Sequence, residues 1–263
     1  MKIENGPWVV KLGGSLLENE GRRRRALAAI ARAWNEGTPL VVVHGGGRKI
    51  DEHLTALGLT RSVHRGLRVT GPATLEAVVA VLAGIVNKSL VEELRGLGIS
   101  AAGISGVDGA TIVAERHPPL DGVELGRVGT APHARPDVLT VLLSAGLLPV
   151  LAPIAAGRDG GILNLNADAA AAAVACSLAS PRLVFFTDVE GVRDGAGRTL
   201  SRLSAAAARE LIESGAASGG MRPKLAAALA ALAEGVGEIV IAGPDRHADV
   251  LDGRHGGTSL VAA

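Results

Sequence analysis

Only five of the 27 basic residues are lysine, at Lys2, Lys11, Lys49, Lys88 and Lys224. A chain that otherwise uses arginine, as in Arg22-Arg23-Arg24-Arg25, keeps lysine where a compact, mobile ammonium serves better than a planar fork. Lys11 stands at a strand end directly before Leu12-Gly13-Gly14-Ser15, and Lys224 follows Gly219-Gly220-Met221-Arg222-Pro223 ahead of a helix. Taken singly, each reads equally as a solvated lysine beside a turn. Three glycine-rich strand ends recur, at Gly13-Gly14, Gly45-Gly46-Gly47 and Gly219-Gly220. Glycine lets the backbone approach a ligand and aim N–H groups at anionic oxygens. A helix is expected after each, and a helix N-terminus favours an anion further.

Other polar residues stand at similar junctions. Asn164-Leu165-Asn166-Ala167-Asp168 lies between a strand and a helix, where Asn and Asp could hold a ligand and a cation or simply cap the helix. In Gly66-Leu67-Arg68-Val69-Thr70, Arg68 suits bidentate carboxylate recognition or an ordinary surface position. Thr187-Asp188-Val189-Glu190-Gly191-Val192 follows an apolar run, as a ligand loop or a plain turn would in an α/β fold. Familiar nucleotide signatures are missing: no lysine follows a glycine, and His44-Gly45-Gly46-Gly47 lacks dinucleotide spacing. Gly103-Ile104-Ser105-Gly106-Val107 fails as a nucleophile elbow because Val107 is not glycine. The seven histidines show no metal-ligand spacing. Lys88 reads as a packing or helix-face residue, and Cys176 as a small core residue.

The elements that must position these residues follow from composition and periodicity. With 263 residues, 48% hydrophobic and 20% charged, the chain can bury a large core. A net charge of +1, two Trp, two Phe and no Tyr argue against a nucleic-acid or membrane-surface partner. One cysteine excludes an internal disulfide framework and a cysteine-rich zinc site, and points to the cytosol. The uncharged stretch 138–157 is broken by Ser144-Ala145-Gly146, Pro149 and Pro153, and the N-terminus shows no secretory apolar region. A cytoplasmic protein is expected.

Short apolar runs alternate with amphipathic stretches, the pattern of an α/β protein with a mainly parallel sheet. Strands are predicted at 8–12, 40–43, 99–104, 148–151, 183–186, 238–241 and 259–261. Helices are predicted at 23–36, 47–57, 73–97, 136–145, 167–178, 205–214 and 225–234, with small hairpins over 108–128. The expected architecture is a three-layer α/β/α sandwich in two lobes, residues 1–176 and 177–263.

In order along the chain, these blocks resemble the amino acid kinase family, in the branch that phosphorylates N-acetyl-L-glutamate for arginine biosynthesis. The resemblance rests on Lys11-Leu12-Gly13-Gly14, His44-Gly45-Gly46-Gly47, Gly66-Leu67-Arg68-Val69-Thr70, Asn164-Leu165-Asn166-Ala167-Asp168, Thr187 to Val192, and Gly219 to Lys224. It implies transfer of the γ-phosphoryl of ATP to the side-chain carboxylate, with Mg²⁺ carried mainly on the ATP phosphates and no protein metal site. By resemblance, Lys11 and Lys224 stabilise the transferring group, and Asp168 holds both ammonium groups. Gly46, Gly47, Arg68, Asn164 and Asn166 then bind the acyl amino acid in the first lobe. Gly13, Gly14, Asp188, Val189, Glu190, Gly191, Val192, Arg193, Ala216, Ala217 and Ser218 line the ATP site, mostly in the second lobe. The resemblance also implies a homodimer formed through the helix at 73–97.

One departure is Arg127, at a position the family usually fills with an aromatic residue or histidine. Another is the short stretch before Lys11, which leaves no room for the extra helix of arginine-inhibited hexamers, so an arginine-insensitive homodimer is expected. Two rival readings are a kinase for glutamate or aminoadipate linked to a carrier protein, and a non-catalytic amino-acid sensor on the same fold.

Overall fold

The computed structural model describes residues 6–217 and 219–261. The first half contributes β1 (Trp8–Leu12), β2 (Leu40–His44), β3 (Val63–His64), β4 (Leu67–Arg68) and β5 (Ala101–Ser105). The middle contributes β6 (Ile112–Arg116), β7 (Gly129–Ala134), β8 (Leu148–Ala152), β9 (Ile154–Gly157) and β10 (Ile162–Asn164). Then come β11 (Arg182–Phe186), β12 (Arg202–Ser204), β13 (Glu238–Ala242) and β14 (Thr258–Val261).

One eight-stranded sheet runs through the molecule in the order β12-β14-β13-β11-β1-β2-β8-β5. The six strands from β13 to β5 are parallel, and β14 reverses direction against β13. The central parallel strands β11, β1, β2 and β8 are largely apolar and buried because helices cover both faces of the sheet. The period of two divides neighbouring residues between the two cores. Val9, Val41, Val43, Leu183, Phe185, Ile239 and Ile241 face one core, which includes alanines of the helices Ala167–Ser177 and Met221–Ala233. Val10, Val42, Val184, Phe186 and Val240 face the other, against the helix Glu20–Asn35. The alanine clusters are thus packing surfaces that bring helices close to the sheet.

The fold's logic puts the site at one edge. The chain leaves β1 toward β2 on one side, while β11 and β13 lie on the other. Ligands of open α/β sheets bind at such a switch point, outside the carboxyl ends of the strands. Register sets Lys11 beside Val43 and Phe185, with Leu12 beside His44 and Phe186. The Gly13, Gly45 and Thr187 loops therefore leave the sheet at one level.

Two expectations are corrected. The helix carrying Lys224 begins at Met221, so the lysine lies in its first turn rather than before it. Pro223 is compatible with this because a first-turn residue needs no N–H partner. The hairpin region extends beyond 128: β6 pairs with β7 inside a four-stranded sheet, order β10-β9-β6-β7. β7 (Gly-Thr-Ala-Pro-His-Ala) lacks apolar alternation and tolerates Pro132 because it is an edge strand. β9 and β10 are four and three residues long, too short for periodicity to reveal.

The 138–157 stretch divides into the helix Asp137–Ser144, β8 and β9. A different segment, Pro72–Gly96, is long and apolar enough to cross a membrane by length and composition alone. Its Ala77, Val78, Val81 and Leu82 pack instead on Ile50 and Leu54 of the helix Gly47–Ala56.

Candidate active site

Lys11, Asp168 and Lys224 meet at the carboxyl edge of β1. Lys11 Nζ lies 2.7 Å from Asp168 Oδ1, and Lys224 Nζ lies 3.1 and 3.2 Å from Oδ1 and Oδ2. All three side chains are more than nine-tenths buried. Asn166 caps the Ala167–Ser177 helix, its Oδ1 accepting from the N–H groups of Asp168 (2.8 Å) and Ala169 (3.2 Å). The cap holds Asp168 in the first turn, and Lys224 reaches it from the first turn of the facing helix.

Burial opposes ionisation of Asp168, but the adjacent Lys11 and Lys224 ammonium groups override it and hold the carboxyl below its usual range. Lys224 is pushed down to about 8, first by burial and then by Lys11, against the attraction of Asp168. Its ammonium also lies 5.0 Å from the Phe185 ring centre. One carboxylate against two ammonium groups leaves a buried positive charge that an anion can satisfy.

The backbone around the cluster is open. Gly13 N–H donates to Phe186 O and Gly45 N–H to Leu12 O, both at 2.9 Å, extending the sheet. The next residues turn out of it. A Cβ on Gly14 would lie 3.6 Å from Gly47 N and 3.8 Å from Gly46 N, so these amides converge. Gly47 opens the helix Gly47–Ala56, whose first-turn N–H groups have no carbonyl partner within the helix.

Arg68 enters from the β3–β4 hairpin, whose turn places Arg65 (φ 49°) and Gly66 (φ 83°) in left-handed conformations. Its Nη2 donates to Gly47 O at 2.9 Å. Its Nη1 approaches Asp51 Oδ1 to 2.5 Å as an ion pair without hydrogen-bond alignment. Asn164 Nδ2 donates to Thr70 Oγ1 at 3.1 Å, and Thr70 donates to Arg68 O at 2.7 Å. Arg68, Asn164, Asn166, Gly46 and Gly47 line a cleft of about 200 Å³. A larger one of about 1000 Å³ shares Gly66, Leu67 and Asn166 with it and opens onto Asp168, Gly219 and Gly220.

The expected nucleotide residues divide. Asp188 is near the cluster and accepts from Thr187 Oγ1 at 3.1 Å. Burial raises its carboxyl, but its own N–H, Ser15, Thr187 and Arg22 together bring it below the usual value. Val189, Glu190 and Arg193 remain at least partly exposed. Gly191 is packed against Thr258, and Val192 N–H donates to Thr258 Oγ1 at 2.8 Å. The side chains of Val192 and Ala217 belong to the core, while Ala216 is exposed and Ser218 lies outside the described residues.

The Arg127 side chain reaches Gly160. Its Nη1 donates to Gly160 O at 3.3 Å, while its backbone N–H donates to Thr70 O and its carbonyl accepts from Asn164 N–H. Sequence reading gave no role to Thr70, Asp51, His44 or Asn87, which support the glycine loop and Arg68; only His44, heading a glycine run, and Thr70, closing the Arg68 block, stood in visible motifs. Among the described residues, no three His, Cys, Asp or Glu side chains gather where they could hold a metal ion.

The arrangement joins a buried cationic centre, converging amides and an arginine-bearing cleft, the parts needed to align two anionic reactants. Comparison with known proteins agrees. The chain is 43% identical over 258 residues to the acetylglutamate kinase of Solibacter usitatus, covering 97% of this chain and 99% of that one. It is 43% identical over 239 residues to the acetylglutamate kinase of Methanopyrus kandleri, covering 89% and 93%. Among solved structures it is similar to smu.665 from Streptococcus mutans UA159, with a TM-score of 0.81 at 29% identity over 97% and 98% of the chains. It is also similar to the N-acetylglutamate synthase from Neisseria gonorrhoeae complexed with coenzyme A and N-acetyl-glutamate (TM-score 0.83, 28% identity), covering 98% of this chain and 60% of that one. The family model for the amino acid kinase family matches residues 6–243, and the chain belongs to that family.

Proposed function

We propose that this chain is an acetylglutamate kinase, transferring the γ-phosphoryl of ATP to the side-chain carboxylate of N-acetyl-L-glutamate. The observation that carries the reading is the single buried carboxylate of Asp168 shared by Lys11 and Lys224. Near-full-length relatives of that name support it. The attacking carboxylate is already ionised, so a new O–P bond forms as the β,γ-bridging bond breaks, and ADP leaves without a general base. Transfer of this kind depends on positioning and charge stabilisation.

Lys11 and Lys224 stabilise the equatorial oxygens, and Asp168 orients both. Gly13 and Gly14, with Gly46 and Gly47, direct N–H groups at phosphate and attacking oxygens. Arg68 holds the α-carboxylate, with Asn164 and Asn166 beside it. The exposed Asp188, Glu190, Arg193 and Ala216, with the partly exposed Val189, form the ATP side, so residues 1–176 serve the acyl amino acid and 177–263 the nucleotide. Magnesium carried on the ATP phosphates would neutralise part of their charge when bound. The Pro72–Gly96 helix, with Ile85 exposed, is the dimer contact, and the enzyme works in the cytosol.

The test is ADP release with Mg-ATP and N-acetyl-L-glutamate, free glutamate or N-acetylaspartate, with hydroxylamine trapping any acyl phosphate. A hydroxamate from N-acetyl-L-glutamate alone supports the reading. ATP binding without turnover on any of the three turns it toward a carrier-linked substrate, and failure to bind ATP toward a sensor.

A further inference from the structure

A buried polar chain ties the end of β2 to the Pro72–Gly96 helix. His44 Nδ1 lies 2.8 Å from Gly45 O and carries the hydrogen, because a carbonyl only accepts. Nε2 is then the acceptor, 3.1 Å from Asn87 Nδ2, and the same amide donates to Val150 O at 2.9 Å. Lys88 Nζ donates to Asn87 Oδ1 at 3.1 Å and to Gly103 O at 2.7 Å. His44 and Asn87 are wholly buried. Burial pushes His44 down to about 4, so the ring is neutral at pH 7 and keeps one donor and one acceptor.

Two further observations converge on the same loop. A Cβ on Gly103 would collide with Asn87 Oδ1 and come within 2.7 Å of Lys88 Nζ, so a glycine is needed where the amide is seated. The turns just before Asn87, Ala80–Val86, are wound as a π-helix, a form that often marks functional positions. From them Leu82 and Val86 press on Gly46, where a Cβ would lie 2.7 Å from Leu82 Cδ2 and 3.3 Å from Val86 Cγ2. Polar and apolar contacts from one helix thus meet on the glycine loop.

We infer that Asn87, acting through His44 and the Gly45 carbonyl, is a positioning residue that fixes the direction of the Gly46 N–H. In a trans peptide the carbonyl and the following N–H point opposite ways, so holding Gly45 O against His44 turns Gly46 N–H outward. That this amide meets reacting oxygens rests on the transfer reading above.

The test uses the full chain with Asn87→Ala, His44→Asn, His44→Gln and Gly103→Ala, the last displacing Asn87 without removing it. The His44→Asn side chain can keep a donor near the Nδ1 position, whereas His44→Gln extends toward the Nε2 position. Asn87→Ala, Gly103→Ala and His44→Gln are expected to lower kcat about 10- to 100-fold, with His44→Asn losing least. KM for ATP should stay within about twofold, as for an interaction made mainly in the transition state. Hydrogen exchange at the Gly46 amide should rise in the same variants while that of Gly14 does not. Thermal melts identify which variants fold. Folded variants with wild-type kcat, equal losses in the two His44 variants, or unchanged Gly46 exchange would each overturn the inference. A wild-type chain without turnover refutes the transfer reading, and the exchange contrast between Gly46 and Gly14 still decides the positioning role.

Discussion

At the edge of β1 two lysines share one carboxylate out of water, whereas on the Pro72–Gly96 helix Arg95 and Glu92 pair at 2.6 Å in full solvent. Both are ion pairs by distance, yet their physics is opposite. The exposed charges keep most of their hydration, and pairing adds little. The buried ones have lost theirs, and Lys224 shows the strain as a pKa near 8. Since apolar residues of similar volume are often at least as stable in such places, a net-positive buried cluster is weak evidence for stability and better evidence for an anionic ligand.

The sharpest way to break this contrast is Lys224→Met. It leaves Lys11 and Asp168 as a balanced pair, so the melting temperature should hold or rise while phosphoryl transfer falls by about 10³-fold or more. A large loss of Tm with transfer retained would contradict it. Next in size is Asp168→Ala, which leaves two ammonium groups buried without a counterion. Denaturant unfolding should show a loss of about 3–5 kcal/mol, whereas Glu92→Ala should leave the unfolding curve unchanged.

Arg68→Lys removes the planar fork while keeping the charge. KM for N-acetyl-L-glutamate should rise about tenfold or more with a smaller change in kcat, measured by hydroxamate formation. The smallest effect is a pH limb. Below about 8 the Lys224 amine is protonated and able to stabilise phosphate; above it the free enzyme loses that charge. kcat/KM should therefore decline as pH rises past about 8, and the limb should be missing from Lys224→Met. The same depressed pKa makes Lys224 contribute rising stability from about pH 8 toward its ordinary value of 10.5, because there the unfolded chain binds the extra proton.

Much of the fold was legible because its signals are local. The buried strands are continuous apolar runs, and their predicted positions differ from β1, β2, β8, β11 and β13 by at most a residue at either end. The long helix was legible too, but not its π-wound turns, because winding there is set by packing. The start of the Met221–Ala233 helix was hidden by Gly219-Gly220 and Pro223, which also suit a loop. Within the site, Lys11, Asp168 and Lys224 stood out as rare residue types beside glycines. Asn87, in contrast, is an ordinary helix residue by type and spacing, and its partners His44, Val150 and Ile104 come from three different strands.

The sequence by itself determined the order of the main-sheet strands β1, β2, β5, β8, β11, β13 and β14 and of the longer helices, the glycine-rich turns at strand ends and the scarcity of lysine, since each depends on residue type within a short window. Only the tertiary structure decided that residues 11, 168 and 224 share one charge centre, that the Arg127 side chain reaches Gly160, and that a helix some forty residues along the chain supports the Gly45 carbonyl. Those outcomes depend on sheet order and register, which bring distant segments within hydrogen-bond reach and strip the water from between them.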